Sequence, residues 1–277
     1  MLELRDASVI YPGRDGADGV EAVRATSLTF ERGSLTVLLG PSGAGKSSLL
    51  RTLNGLVPLT RGTVSFDDEG EIRGAAGWRR HRRRTAMVFQ HHQLIGRLAV
   101  LRNVMIGRLG YHSTWRSLWP LPAEDKRIAL AALERVGLED FALRRVDSLS
   151  GGQQQRVGIA RALAQAPEIV LADEPVASLD PATAGRVLDL LRGICREDGI
   201  TAVVSLHQVE RARDFADRIV GISDGAVVFD GTPGQLTDGH LRRIYGSAPA
   251  APADRALTDQ PPPEEPADQD LKLLMEM

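Results

Sequence analysis

Eight consecutive residues, Gly40-Pro41-Ser42-Gly43-Ala44-Gly45-Lys46-Ser47, fit the phosphate-loop pattern G-x-x-x-x-G-K-[ST]. Glycines in such a loop let successive backbone N–H groups converge on an anion. Lys46 then serves as a point charge for the β- and γ-phosphates, and the Ser47 hydroxyl is of the type that ligates Mg²⁺. A second glycine-rich element, Leu149-Ser150-Gly151-Gly152-Gln153, runs on into Gln154-Gln155-Arg156 and also opens a helix. Its N-terminus offers another set of N–H groups to a phosphate. One compact domain has little use for two cradles on one nucleotide. The simplest geometry is head-to-tail pairing, with the second cradle closing the site of a partner copy.

Two acids follow an apolar strand. Ile169-Val170-Leu171-Ala172 reads as a buried parallel strand from its continuous hydrophobicity, and Asp173-Glu174 leave its carboxyl end, where α/β sheets bind ligands. Asp173 suits the outer shell of a phosphate-bound Mg²⁺, and Glu174 is placed to orient and polarise an attacking water. Asp180 precedes Pro181 as a natural helix cap. His207 follows the strand-like Thr201 to Ser205, and Gln90 ends the strand-like Thr85 to Phe89. By residue type alone, His207 is more often structural than catalytic, Gln90 can simply cap a turn, and Tyr11 can simply be a surface tyrosine.

The elements that must position these groups are readable in outline. Leu35 to Leu39 is an apolar strand feeding directly into Gly40, and a helix is expected over about Lys46 to Asn54 with Gly55 as its stop. This strand, loop and helix order is the context that a phosphate loop requires. Upstream, Leu2 to Ile10, Ser27 to Phe30 and Thr63 to Phe66 look strand-like, with a Gly/Asp-rich loop from Gly13 to Gly19. From about His91 to Arg156 the pattern turns helical. Pro122 opens a helix whose apolar positions are Ile128, Ala131, Ala132 and Val136, and Gly137 ends it. After Arg156 the alternation of strand and helix resumes, so a helical segment interrupts an α/β core. The Pro/Ala/Asp-rich stretch 247–277 lacks apolar periodicity and is expected to be disordered.

Bulk composition narrows the classes. A chain of 277 residues with a formal net charge of -2 gives no global sign of nucleic-acid binding. No apolar run approaches the ~20 residues of a membrane helix, and Met1 to Asp6 does not read as a signal peptide. The lone Cys195 falls on the apolar side of a helix with Leu188, Leu191 and Ile194, so a buried thiol is expected. The basic run Arg79-Arg80-His81-Arg82-Arg83-Arg84 is expected to be solvated or to meet acidic groups of a partner.

Together, the phosphate loop, the Ser150-Gly151-Gly152-Gln153 element and the Asp173-Glu174 pair resemble the ATP-binding-cassette ATPases, over about Leu2 to Gly246. The resemblance implies an α/β phosphate-loop NTPase core of the RecA-like kind, an N-terminal antiparallel β subdomain and an inserted α-helical subdomain (about 91–156). It also implies the cofactors ATP and Mg²⁺. ATP would be held by Tyr11, stacked on adenine, and by Gly40, Pro41, Ser42, Gly43, Ala44, Gly45, Lys46, Ser47 and Ser48. Ser47 and Gln90 would serve the metal, with Asp173 in its outer shell. Glu174, His207 and Gln90 would form the catalytic set, with His207 holding the γ-phosphate and water in register. Ser150, Gly151, Gly152 and Gln153 would act on the partner's nucleotide, and Asp180 would lie in the loop linking the two sites. Implied partners are a second copy, membrane permease subunits and, indirectly, a solute-binding protein, with no nucleic acid, at the cytoplasmic face of the cell membrane. Ile106 to Leu118, Ala172 to Pro181 and Ser205 to Glu210 are similar to ATPase subunits of bacterial phosphonate importers. That likeness implies an energising subunit for phosphonates or related phosphorus oxyanions. Soluble cassette ATPases acting on DNA or the ribosome usually need long coiled coils, zinc-binding cysteines or tandem cassettes, which one cysteine and one cassette do not provide.

Overall fold

A computed structural model describes residues 1–12, 19–67, 70–90, 93–113 and 121–246. The stretches 114–120, with Trp115 and Trp119, and 247–277 lie outside the described residues, as does most of the Gly13 to Gly19 loop.

Three N-terminal strands form an antiparallel sheet. β1 (Leu2–Tyr11) is central, paired to β2 (Val20–Phe30) and β4 (Arg61–Phe66). A second sheet has the order β5-β6-β7-β3-β8-β9, from β5 (Thr85–Val88), β6 (Ile169–Ala172), β7 (Thr201–Leu206), β3 (Leu35–Leu39), β8 (Arg218–Ser223) and β9 (Ala226–Gly231). Its pairings are parallel except for the antiparallel β8–β9 edge.

Both faces of the central strands of the second sheet are covered, which is why β3, β6 and β7 are mostly apolar and buried along their length. On β6, Ile169 and Leu171 join a core that contains Leu4, Phe30, Val64 and Phe66 of the antiparallel sheet and Leu49, Leu50 and Leu53 of the helix Lys46–Leu53. Val170 and Ala172 point the other way, into a core with Leu133, Val157, Leu188 and Leu191 of the surrounding helices. The period of two along one short strand thus joins two cores.

The helix Lys46–Leu53 ends at Asn54, with Gly55 at a φ of 63° as expected of its stop. Cys195 is buried beside Leu188, Leu191 and Ile194, and burial pushes its thiol pKa up to about 12. Three expectations need correction. The helix Ala123–Arg135 buries Ala129, Ala132 and Leu133, with Val136 buried just past its end, whereas Ala131 is exposed, because the larger apolar area of Leu133 takes the inward stripe. The helical segment does not stop at Arg156, since the helix Gly151–Ala164 carries on almost to β6. The basic run lies on a helix, Gly74–Arg84, that its polar composition concealed. His81 there is fully buried with Nε2 at 2.8 Å from the Leu53 carbonyl, and Arg84 pairs with Glu168 at 2.5 Å while lying 4.2 Å over the Phe66 ring. That run is therefore in part an internal clamp between the two sheets.

Candidate functional site

The phosphate loop leaves β3 where side chains are sterically forbidden. A Cβ on Gly40 would sit 2.3 Å from the Ile222 carbonyl oxygen, and one on Gly45 would sit 2.1 Å from that of Ala22. Gly45 also has a φ of 102°, so only glycine suits the turn into the helix Lys46–Leu53. No side chain caps that helix, which leaves its first N–H groups directed at whatever anion enters the loop. Lys46 is 4% exposed, and its Nζ donates to the carbonyls of Gly40 at 2.8 Å and Pro41 at 2.9 Å. Burial lowers its pKa, while Glu174, with Oε1 3.9 Å from Nζ, and Asp173 act in the opposite direction. A cleft of about 320 Å³ is lined by Ser42 to Ser48, Ala22, Gln90 and Glu174. Tyr11, half-exposed on β1, holds its hydroxyl 3.2 Å from that of Ser48.

Beneath the loop, hydroxyl and carboxylate oxygens form a chain. Ser47 Oγ donates to Asp173 Oδ1 at 2.7 Å, Ser205 Oγ donates to the same oxygen at 3.1 Å, and the Glu174 N–H donates to Ser205 Oγ at 2.8 Å. Arg51 lies 3.4 Å from Asp173 Oδ2. Glu174 itself has a φ of 46°, a left-handed conformation unusual for a non-glycine residue. Among the described residues no group of three or more His, Cys, Asp or Glu side chains could hold a metal ion. The available donors are hydroxyl, amide and single carboxylate oxygens, which fit a hard cation that keeps most of its waters.

The Ser150 corner is organised differently. Ser150 Oγ accepts from the Gln153 N–H at 3.3 Å and Gln153 Oε1 accepts from the Ser150 N–H at 2.9 Å, a reciprocal cap on the helix Gly151–Ala164. A Cβ on Gly152 would sit 2.5 Å from Thr183 Cγ2. Thr183 is also the residue whose N–H donates to Asp180 Oδ1 at 3.0 Å, starting the helix Pro181–Asp198. A hydrogen bond from the Thr183 side chain, followed by that backbone bond, holds the Asp180 carboxyl below the ordinary range. Ser150, Gly152 and Gln153 line a separate cleft of about 500 Å³ with Arg156, Thr183 and Arg186.

Thus the structure brings Ser42 to Ser48, Gln90 and Glu174 to one cleft, joins Asp173 to Ser47, and sets Tyr11 beside Ser48. Ser150, Gly152 and Gln153 do not line that cleft. His207 is exposed just past β7 and bounds a small cavity with Glu174, while its carbonyl accepts from the Tyr245 hydroxyl at 2.9 Å. Sequence reasoning passed over Ala22, Arg51, Ser205 and Tyr245. Only Ser205 carried a readable signal, a hydroxyl that interrupts the apolar run Ala202 to Leu206 two residues before His207.

Parallel strands that end in a phosphate loop and an acid pair define a nucleotide-binding α/β protein of the phosphate-loop class. The ABC transporter family model matches residues 23–177. The chain is 62% identical over 255 residues to the phosphite import ATP-binding protein PxtA of Stutzerimonas stutzeri, spanning 92% of this chain and 90% of that one. It is 57% identical over 248 residues to the phosphonates import ATP-binding protein PhnC 3 of a Nostoc species, spanning 90% and 93%. Among solved structures, a dimeric ATP-binding cassette in a post-hydrolysis state with ADP and phosphate superposes with a TM-score of 0.73 at 34% identity, covering 84% of this chain and 99% of that one. CbiO1 of Clostridium perfringens, part of a cbiONQ transporter complex, does so with a TM-score of 0.73 at 28% identity, covering 87% and 92%. The chain belongs to the ATP-binding-cassette family of ABC transporters and is an ATPase.

Proposed function

We propose that this chain is the ATP-hydrolysing subunit of a bacterial importer for phosphonates or the related oxyanion phosphite. The observation that carries the ATPase half of this reading is the cleft that places Lys46, Ser47, Gln90 and Glu174 together above Asp173. The cargo half rests on likeness to phosphite and phosphonate import ATP-binding proteins, at 62% and 57% identity.

Within the site, the loop N–H groups and Lys46 bind the β- and γ-phosphates, and Tyr11 carries the adenine. Ser47 and Gln90, with Asp173 behind, would hold Mg²⁺, which supplies neutralising charge at the phosphates when bound. Glu174 orients and deprotonates the attacking water, and His207 keeps that water and the γ-phosphate in register. Separation of the Ser150 corner from the chain's own nucleotide cleft supports a head-to-tail homodimer, in which Ser150, Gly151, Gly152 and Gln153 cover the partner's ATP. ATP then bridges two copies, and hydrolysis removes the bridge. Differential binding to closed and open dimers is what drives transport. Asp180, packed through Thr183 against Gly152, is suited to passing the state of one site to the other.

A cytoplasmic helix of the permease fits the groove of about 320 Å³ beyond Gln90, where Met87, Phe89, Tyr111, Arg82 and Arg83 meet. Such docking makes the subunit peripheral at the cytoplasmic face. No helix among the described residues is long and apolar enough to cross a membrane. The test is reconstitution with the cognate permease and solute-binding protein, scoring ATP turnover with phosphonate, phosphite, phosphate and an amino acid. Stimulation by phosphonate or phosphite above the others is expected. Stimulation by the amino acid alone would overturn the cargo assignment.

A further inference from the structure

Strand order creates a gap in the site. β7 lies between β3, which carries the phosphate loop, and β6, which carries Asp173 and Glu174. The two functional strands therefore do not touch, and β7 is placed to add a link between their ends beside the direct Ser47–Asp173 bond. Ser205 pairs in register with Leu38 of β3, and Val204 just before it pairs with Ala172 of β6. Its side chain is 0% exposed in a strand whose other residues are buried and mostly apolar. A buried hydroxyl in such a strand must find partners. Ser205 finds two: its Oγ donates to Asp173 Oδ1 at 3.1 Å and accepts the Glu174 N–H at 2.8 Å.

Those bonds act on two groups with different problems. Asp173 Oδ1 also accepts from Ser47 Oγ at 2.7 Å, so the carboxylate is aimed from both sides. Glu174 sits at a φ of 46°, a conformation that holds only when its surroundings over-determine it. The bond from its N–H to Ser205 is a side-chain contact that fixes this backbone turn. We propose that Ser205 is a positioning residue for ATP hydrolysis: its hydroxyl couples the metal end of the site, Ser47 and Asp173, to the water-activating end, Glu174. The proposal rests on the hydrolytic reading of Asp173 and Glu174 given above.

Serine is the smallest side chain that can both donate and accept here, whereas alanine can do neither. Threonine keeps the hydroxyl and valine matches threonine in shape without it. The Thr–Val pair therefore cancels any effect of added volume. The test compares Ser205→Ala, Ser205→Thr and Ser205→Val in the full chain by three readouts. These are kcat and KM for ATP, binding of a fluorescent ATP analogue titrated with Mg²⁺, and thermal melting. For Ser205→Ala and Ser205→Val we expect kcat to fall about tenfold or more, as for a lost charge-assisted hydrogen bond. KM for ATP should stay within about twofold, and the Mg²⁺ concentration for half-maximal tightening of the analogue should rise several-fold. Ser205→Thr should keep most of the turnover that Ser205→Val loses. Equal kcat and Mg²⁺ titrations in the Thr and Val variants would overturn the proposal, as would losses that simply track the melting temperature. Wild-type protein that binds nucleotide but never turns it over would instead sink the hydrolytic reading. The Mg²⁺ titration would still separate the Thr and Val variants in that case, so the two failures are distinguishable.

Discussion

The two ends of the nucleotide machinery are built on opposite plans. At the phosphate loop, groups far apart in sequence are tied together: Ser47 to Asp173 across 126 positions, and Asp173 to Ser205 across 32. Lys46 is buried among carbonyls and acids, and glycines are imposed by backbone oxygens of β8 and β2. At the Ser150 corner the polar bonds are local. Ser150 and Gln153 satisfy each other three residues apart, while Gly152 against Thr183 and Gly151 beside Leu179 tie the corner to the Asp180 turn. The first end is a site held rigid by its own chain. The second is a helix start whose cap is satisfied locally and that keeps Ser150 and Gly151 exposed. The proposed head-to-tail dimer asks this corner to be pre-formed yet unoccupied at home, and local capping achieves that.

The largest effect expected concerns the cross-linked end. Glu174→Gln removes the base without disturbing its backbone and should slow turnover by about 10²–10⁴-fold. With ATP and Mg²⁺ the variant should run as a dimer in size-exclusion chromatography with light scattering. Near-normal hydrolysis would remove Glu174 from its role.

A sharper test sets the two ends against each other. Lys46→Ala and Gly151→Asp should each abolish turnover, but only the first should weaken nucleotide binding to the isolated chain. Mixed in equal amounts, they should regain about one quarter of wild-type turnover, because half of the dimers are mixed and each holds one intact site. No recovery in the mixture, together with full loss in each parent, would show that the two ends do not meet across a dimer.

Smaller effects concern what supports each end. Asp125 is 3% exposed and accepts from Arg108 at 2.9 Å, with His112 Nε2 at 2.5 Å. Burial pushes its pKa up, but the hydrogen bonds from Arg108 and His112 outweigh that and hold it below the ordinary range. Asp125→Asn should destabilise the chain by about 3 kcal/mol in thermal or urea unfolding at neutral pH. Because the folded pKa is depressed, the Asp125 contribution is complete above the ordinary carboxylate pKa of ~3.9 and is lost as pH falls through the lower folded value. The gap between wild type and variant should therefore close only in strong acid. Smallest of all, Tyr245→Phe frees the His207 carbonyl and should lower kcat about two- to fivefold with nucleotide affinity unchanged. Burial pushes the Tyr245 phenol up to about 12, so this bond should survive across the pH range of any activity assay.

Much of this was readable from the chain itself. The phosphate loop, the apolar strands that lead to Gly40 and Asp173, the Asp180 cap and the glycine stops after Leu53 and Arg135 are local patterns. Local patterns survive in one dimension because the residues that satisfy them lie within a few positions of each other. The helix Gly74–Arg84 was hidden for the converse reason. It has no apolar stripe, and its place is set by distant partners such as Leu53, Phe66 and Glu168. The phase of the helix Ala123–Arg135 was likewise settled by which neighbours Leu133 could reach.

The residue order was enough to locate the phosphate loop, the Asp173-Glu174 pair and two glycine-rich helix starts. Folding added the rest: the two helix starts open onto separate clefts, β7 separates the loop strand from the acid strand, and Ser205 bonds both acids' ends. The reason is physical. Hydrogen bonds between strand ends depend on strand order and register, and neither is written in the spacing of residues along a single strand.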